Sequence, residues 1–188
     1  MKRSARQARQ AFAGRILKYE AMPGNARKLP PVCLSIAILD LLSGKLRMSQ
    51  EYRGSKIRFY DNQSFIIFRH IKKRKLTFSE DPVTFVVRFK FARLSHKANK
   101  LASIIPILLI AGSPGFVQKV YAVNNTNGYW QGMYEWKSED HLEAFTKSFV
   151  YRMMNKRALM GTVQAHTFLN PGFSDLIETE ISRNEYLL

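Results

Sequence analysis

Alternate residues on two neighbouring segments gather aromatic rings around one amine. Period-two spacing puts Lys119, Tyr121 and Val123 on one side of the first segment. It puts Trp130, Gly132, Tyr134 and Trp136 on one side of the second. A mainly aromatic surface with few polar fixtures suits a planar or polyketide-like organic ligand, because the rings supply contact area and the polar groups fix orientation. Arg88 and Lys90 in an upstream alternating stretch, and His166 downstream, can add polar groups to it. The candidate ligand-binding residues are therefore Arg88, Lys119, Tyr121, Trp130, Tyr134 and His166, and none is singled out as catalytic. The same aromatics would also serve as packing in a dimer core, so cavity and filler both remain open.

Other chemistries leave little trace. There is no GxSxG, P-loop, HExxH or dinucleotide fingerprint, and His70, His96, His141 and His166 have no metal-ligand spacing, so no metal site is expected. Cys33 is the only cysteine, which rules out an intramolecular disulfide and a cysteine-built zinc cluster and points to the cytoplasmic side. Its apolar neighbours make it a packing residue. Arg152 to Ala158 is cationic where a helix would end, which offsets the helix dipole; Asn155 and Arg157 remain candidates for the mouth of a site.

The elements that would carry these residues follow from periodicity and turn chemistry. Val83–Phe91 reads as a strand and Ser95–Ala111 as a helix interrupted or kinked at Pro106. Phe116–Val123 and Tyr129–Trp136 form a hairpin around Asn124–Gly128, where Asn127-Gly128 supplies the positive φ of a tight turn. Ser138–Tyr151 reads as a helix and Thr162–Leu169 as a last strand. The order βαββαβ is that of a ferredoxin-like α+β fold. Upstream, a helix is expected over residues 4–20, a short one over Val32–Leu42, and a β-hairpin over Lys56–Phe78 with Asp61–Ser64 as its turn. The expected domains are a basic N-terminal extension (1–80), the ferredoxin-like module (81–173) and a C-terminal tail (174–188).

The pattern Pro114-Gly115-Phe116, Lys119, Tyr121 and Gly132-Met133-Tyr134 resembles the YdhR-type monooxygenases of the dimeric α+β barrel superfamily, over roughly Pro82 to Phe173. The resemblance implies a homodimer in which a second copy covers the helix-free face of the sheet. Phe85, Phe89, Phe91, Trp130, Tyr134 and Trp136 are more aromatic surface than two helices would cover, in line with that. It also implies a small oxygenase working without flavin or metal, the substrate itself activating oxygen, and so no cofactor is expected. It supplies no catalytic residues and does not extend to residues 1–80.

Charge is unevenly placed. Residues 1–80 carry 18 Lys/Arg against 5 Asp/Glu, and residues 81–188 carry 12 against 9, surpluses of 13 and 3 within the chain's +16. The first part is expected to meet something anionic, a membrane surface ahead of nucleic acid, because apolar residues such as Phe12 and Ile16 accompany the charges. No apolar run reaches the roughly 20 residues of a membrane span, so attachment would be peripheral. The Arg-rich first 20 residues also fit a transit peptide. Three functions compete: an oxygenase or related enzyme on an apolar aromatic molecule; a non-catalytic module for a hydrophobic ligand or for dimerisation, held to membrane by its basic arm; and RNA binding. Asn127–Tyr134 matches the RNP1 pattern in part, but Asn127 and Gln131 stand where a basic and a stacking residue belong, which ranks RNA last.

Overall fold

The computed structural model describes residues 30–59, 61–74, 82–92, 96–169 and 173–185. The helix expected over residues 4–20 lies outside them. The elements are α1 (Pro30–Leu42), β1 (Leu46–Ser49), β2 (Lys56–Arg58), β3 (Ser64–Lys73), β4 (Val83–Lys90), α2 (His96–Ala102), α3 (Ile104–Ala111), β5 (Phe116–Val123), β6 (Tyr129–Trp136), α4 (Glu139–Thr146), α5 (Phe149–Arg157), β7 (Gln164–Phe168) and α6 (Phe173–Glu185).

All seven strands join one antiparallel sheet in the order β1-β3-β5-β6-β4-β7, with β2 paired to β3. The run β7-β4-β6-β5 is the ferredoxin-like arrangement, wound βαββαβ, so the fold is α+β as the sequence order implies. The β5–β6 hairpin closes through Gly128 at φ 76°, whose N–H donates to Asn124 O, while Asn124 Oδ1 accepts from the N–H groups of Thr126 and Asn127.

The upstream hairpin exists as β2–β3, but it is not a separate unit. Residues 66–72 of β3 pair with residues 118–123 of β5, so strands on both sides of the boundary expected at residue 81 belong to one sheet. The reason lies in residues 64–73, which bury Phe65 and Ile67 on one sheet face and Ile71 on the other and so need cover on both sides. The two long helices of the sequence reading each break. Pro106 has no N–H to give Ala102 O, and α2 ends at that residue. Ser148, extended and accepting from Tyr151 N–H, caps α5 and divides it from α4.

Each sheet face carries its own apolar core. On one, Phe85, Tyr134 and Trp136 are fully buried with Phe116, Phe145 and Tyr151 beneath α1, α3, α4 and α5. A Cβ at Gly112 would meet the Cys33 carbonyl, so α1 lies directly on the end of α3. On the other face, Ile57, Phe65, Ile67, Val86, Val120, Ala122 and Met133 pack against Phe173, Leu176 and Ile177 of α6. The segment read as a tail from residue 174 is thus a helix, with apolar residues at 173, 176, 177 and 181 in helical spacing. This corrects the argument for a dimer from a bare sheet face: the face is covered by the chain's own α6, and the aromatics counted as surplus lie on the opposite side under four helices. Among the described residues, no helix is long and apolar enough to cross a membrane.

Candidate active site

Strand β6 points Trp130, Gly132, Tyr134 and Trp136 at the helices, and the row divides into two parts. Trp136 is packed away from the cavity, and Tyr134 stands at its border: Phe145 lies over both, with ring centroids 4.7 and 5.7 Å away. Trp130 sits apart with Phe68 and Phe91, at 5.2 and 5.0 Å. Between the two groups lies Gly132, and a cavity open to solvent lies there. Phe89, Pro106, Ile110 and Met154 line it as apolar walls; Lys119, Tyr121, Tyr134, Ser103 and Arg157 add polar groups.

Lys119 is the centre of this site. It is 2% exposed, and its Nζ donates to Tyr134 Oη at 2.7 Å. The rings of Tyr121 and Tyr134 flank the amine, with centroids 3.8 and 3.9 Å from Nζ. Gly132 permits the approach, because a Cβ there would lie 2.8 Å from the Tyr134 ring and 3.1 Å from Lys119 Cε. No carboxylate among the described residues pairs with the amine.

Two effects compete for its proton. Ring contacts of this kind favour the ammonium by about 0.5–2 kcal/mol. Full burial penalises an unpaired ion by several kcal/mol, and the Arg69 guanidinium repels it as well. Burial is the larger effect: it holds Lys119 well below the ordinary lysine range, so the neutral amine is more populated here than on an exposed lysine. Burial likewise raises the phenols of Tyr121 and Tyr134 above the usual range, keeping both protonated. Tyr121 Oη is buried with no hydrogen-bond partner, while Tyr134 Oη reaches Met154 Sδ at 3.9 Å.

A β-bulge in β3 sets the far wall. The register shifts between Ile67 and Arg69, so the consecutive residues Phe68 and Arg69 both turn toward the helices. Arg69 Nη1 then donates to Ser103 Oγ at 2.7 Å and Nη2 to Lys100 O at 3.4 Å, fastening the α2–α3 break against the cavity. At the mouth, Arg157 Nη2 donates to Asn99 Oδ1 at 3.3 Å and its guanidinium lies over Phe91.

Four of the six candidate residues, Lys119, Tyr121, Trp130 and Tyr134, line this cavity. Arg88 and His166 do not. Strand alternation sends Val87 and Phe89 to the helix side and Arg88 to the other, where it pairs with Asp61, donates twice to Gln131 Oε1 and stacks on Phe65. His166 sits opposite Val86 on that same second face, its pKa lowered by burial and by Arg88. Lys90 leaves the site too, lying over the Tyr129 ring. The sequence reading missed Gly132's steric role, the wall residues Ser103, Pro106, Ile110 and Met154, and Phe68, which packs behind Tyr121 and Trp130. The bulge that turns Phe68 inward has no signal in the alternation, whereas Pro106 marked the helix break beside the cavity.

Gly115 explains part of the motif. At φ 70°, with the His141 ring where a Cβ would stand, it lets α4 dock against the start of β5, and Ser138 Oγ lies 2.7 Å from His141 Nδ1.

No family model matches the chain, and no curated protein does either. Solved structures that resemble it include an anthrone oxidase-like protein, at 13% identity over 56% of this chain and 53% of that one (TM-score 0.43). A heme-degrading enzyme of Listeria monocytogenes is similar at 9% identity over 67% and 97% of the two chains (TM-score 0.45). A Listeria monocytogenes ferredoxin-fold protein related to antibiotic biosynthesis monooxygenases is similar at 10% identity over 72% and 88% (TM-score 0.45). The first match spans about half the length of the anthrone oxidase-like chain.

Proposed function

We propose that this chain is a small oxygenase of the YdhR type, acting on a planar aromatic or polyketide-like molecule in the cavity between sheet and helices. The observation that carries the reading is a buried amine with no carboxylate partner, held between two protonated phenols in an apolar cavity. Such an amine can take a proton from a carbon acid whose anion is spread over aromatic rings and a carbonyl, and Tyr121 Oη and Tyr134 Oη are donors for the developing oxyanion. The substrate carbanion then reduces O₂ by one electron, the radicals combine to a hydroperoxide on that carbon, and loss of water leaves a ketone. The balance is R₂CH₂ + O₂ → R₂C=O + H₂O, with Lys119 Nζ holding the proton between steps.

Anthrone, whose methylene is acidified by two rings and a carbonyl, is a suitable first probe. In an oxygen-electrode assay the protein is expected to speed O₂ uptake above the buffer rate, one O₂ per substrate, and Lys119→Met to abolish the difference. Uptake at the buffer rate with a panel of acidic aromatic ketones would sink the oxygenase reading.

A second reading, a hydrophobic-ligand module held at an anionic membrane, is favoured by exposed apolar side chains on α1 and on α2–α3. Leu39 and Leu42 are 64% and 81% exposed, Leu101 and Ile105 71% and 63%, with Lys45 and Arg47 exposed just beyond α1. Salt-sensitive cosedimentation with acidic but not neutral vesicles would support it. RNA binding of the RRM kind loses its surface, since Trp130 and Tyr134 lie under helices and α6 covers the other face.

A further inference from the structure

We infer that Lys119 also forms a covalent bond with its ligand: its amine condenses with the carbonyl carbon of an aromatic aldehyde or ketone that enters the cavity, giving an imine. The inference rests on the cavity's being the ligand site of the proposed function, and adds a reaction to it.

An ordinary lysine at pH 7 is a poor nucleophile, since only about one amine in 2,500 is unprotonated at a pKa near 10.4. Lys119 differs in surroundings. Lys119 lines the cavity and is 2% exposed, its Nζ has Tyr134 Oη at 2.7 Å, and it has no acidic partner among the described residues. Tyr121 Oη is a buried hydroxyl with nothing to bond, on the side chain whose ring flanks the amine. That unpartnered donor suits the oxygen of an incoming carbonyl.

The atoms balance without an oxidant or reductant. The Nζ lone pair bonds to the carbonyl carbon as the C=O π pair moves to oxygen, and an Nζ proton passes to that oxygen, giving a carbinolamine. Its C–O bond then breaks. The hydroxyl leaves as water with a proton from Tyr134 Oη, and the resulting iminium returns its remaining N–H proton to Tyr134. The sum is RCHO + H₂N–Lys → RCH=N–Lys + H₂O. An apolar cavity favours the product because the water released passes to solvent. Arg88, the other deeply buried Lys or Arg among the described residues, is unsuited, being a permanently charged guanidinium matched by Asp61 and Gln131.

The test is reductive trapping on the full chain at pH 7. Naphthaldehyde, and in parallel the much smaller formaldehyde, are added with cyanoborohydride, and peptides are mapped by mass. Label on Lys119 at about tenfold or more above the exposed Lys45 and Lys156 is expected with at least one aldehyde. Label on Lys119 no greater than on those surface lysines with both aldehydes would overturn the imine. Oxygen uptake on untreated protein separates the two claims: uptake without Lys119 label leaves the oxygenase and removes the imine, and label without uptake does the reverse.

Discussion

The two faces of the sheet each bury a cation, and they treat it in opposite ways. On the α6 side, Arg88 meets the Asp61 carboxylate, two bonds to Gln131 Oε1 and the faces of Phe59 and Phe65. Nearby, His70 Nε2 donates to Gln118 Oε1, and Gln118 Nε2 donates to Glu135 Oε2 at 2.6 Å. On the helix side, Lys119 has a phenol, two rings and no carboxylate. A matched buried charge is a structural joint; an unmatched one holds its proton less tightly and is better placed to act as a base or nucleophile. The comparison separates Arg88 from Lys119 more sharply than residue type does.

The largest expected effect comes from undoing the matched side. Arg88→Ala leaves the buried Gln131 Oε1 unbonded and strips the contacts to Phe59 and Phe65, while the exposed Asp61 stays solvated, and should cost about 2–4 kcal/mol in urea denaturation. A loss below about 1 kcal/mol would show that the pairing does not hold this face together. Next is the gap beside the unmatched amine. Gly132→Ala drives a Cβ toward the Tyr134 ring and Lys119 Cε, and should cost about 1–3 kcal/mol. Ligand binding, read by quenching of Trp130, should fall with it; unchanged binding would put the ligand elsewhere. Ser148→Ala removes the α5 cap and should cost about 1 kcal/mol without changing O₂ uptake.

The smallest effect at pH 7, and the one with a distinctive sign, is Lys119→Met. Replacing a buried unpaired amine by an apolar chain of similar length should leave stability equal or raised. The folded pKa is depressed, so between it and about 10.4 the unfolded chain binds the extra proton and wild-type stability rises with pH. Any advantage of the variant should therefore shrink toward pH 10 and vanish above. A gap that widens with pH would mean that the folded protein holds the ammonium.

How much of this could be read from the residues varies by element. The βαββαβ order was legible because short β-rich runs are set apart by turn and helix signals and the hairpin has Gly128 at its turn. Lys119, Tyr121, Trp130 and Tyr134 came together because period two on two adjacent strands fixes a shared face. Arg88 was misplaced because it was grouped by chemistry, although its neighbours Val87 and Phe89 already claimed the helix side. Helix α6 carried a readable signal in Phe173, Leu176, Ile177 and Ile181. The joining of β3 to β5 is a pairing between residues about 50 positions apart, which local patterns do not encode.

Helix α6 also has a consequence for how the chain is made. It follows all seven strands, so during synthesis from the N-terminus the whole sheet can assemble while Val86, Val120, Ala122 and Met133 face solvent on one side. In that interval the nascent protein resembles an adhesive surface more than a finished domain, open to chaperones and to neighbours on the same polysome. Docking of Phe173, Leu176 and Ile177 ends the exposure, so a chain cut short before residue 173 would keep that face adhesive.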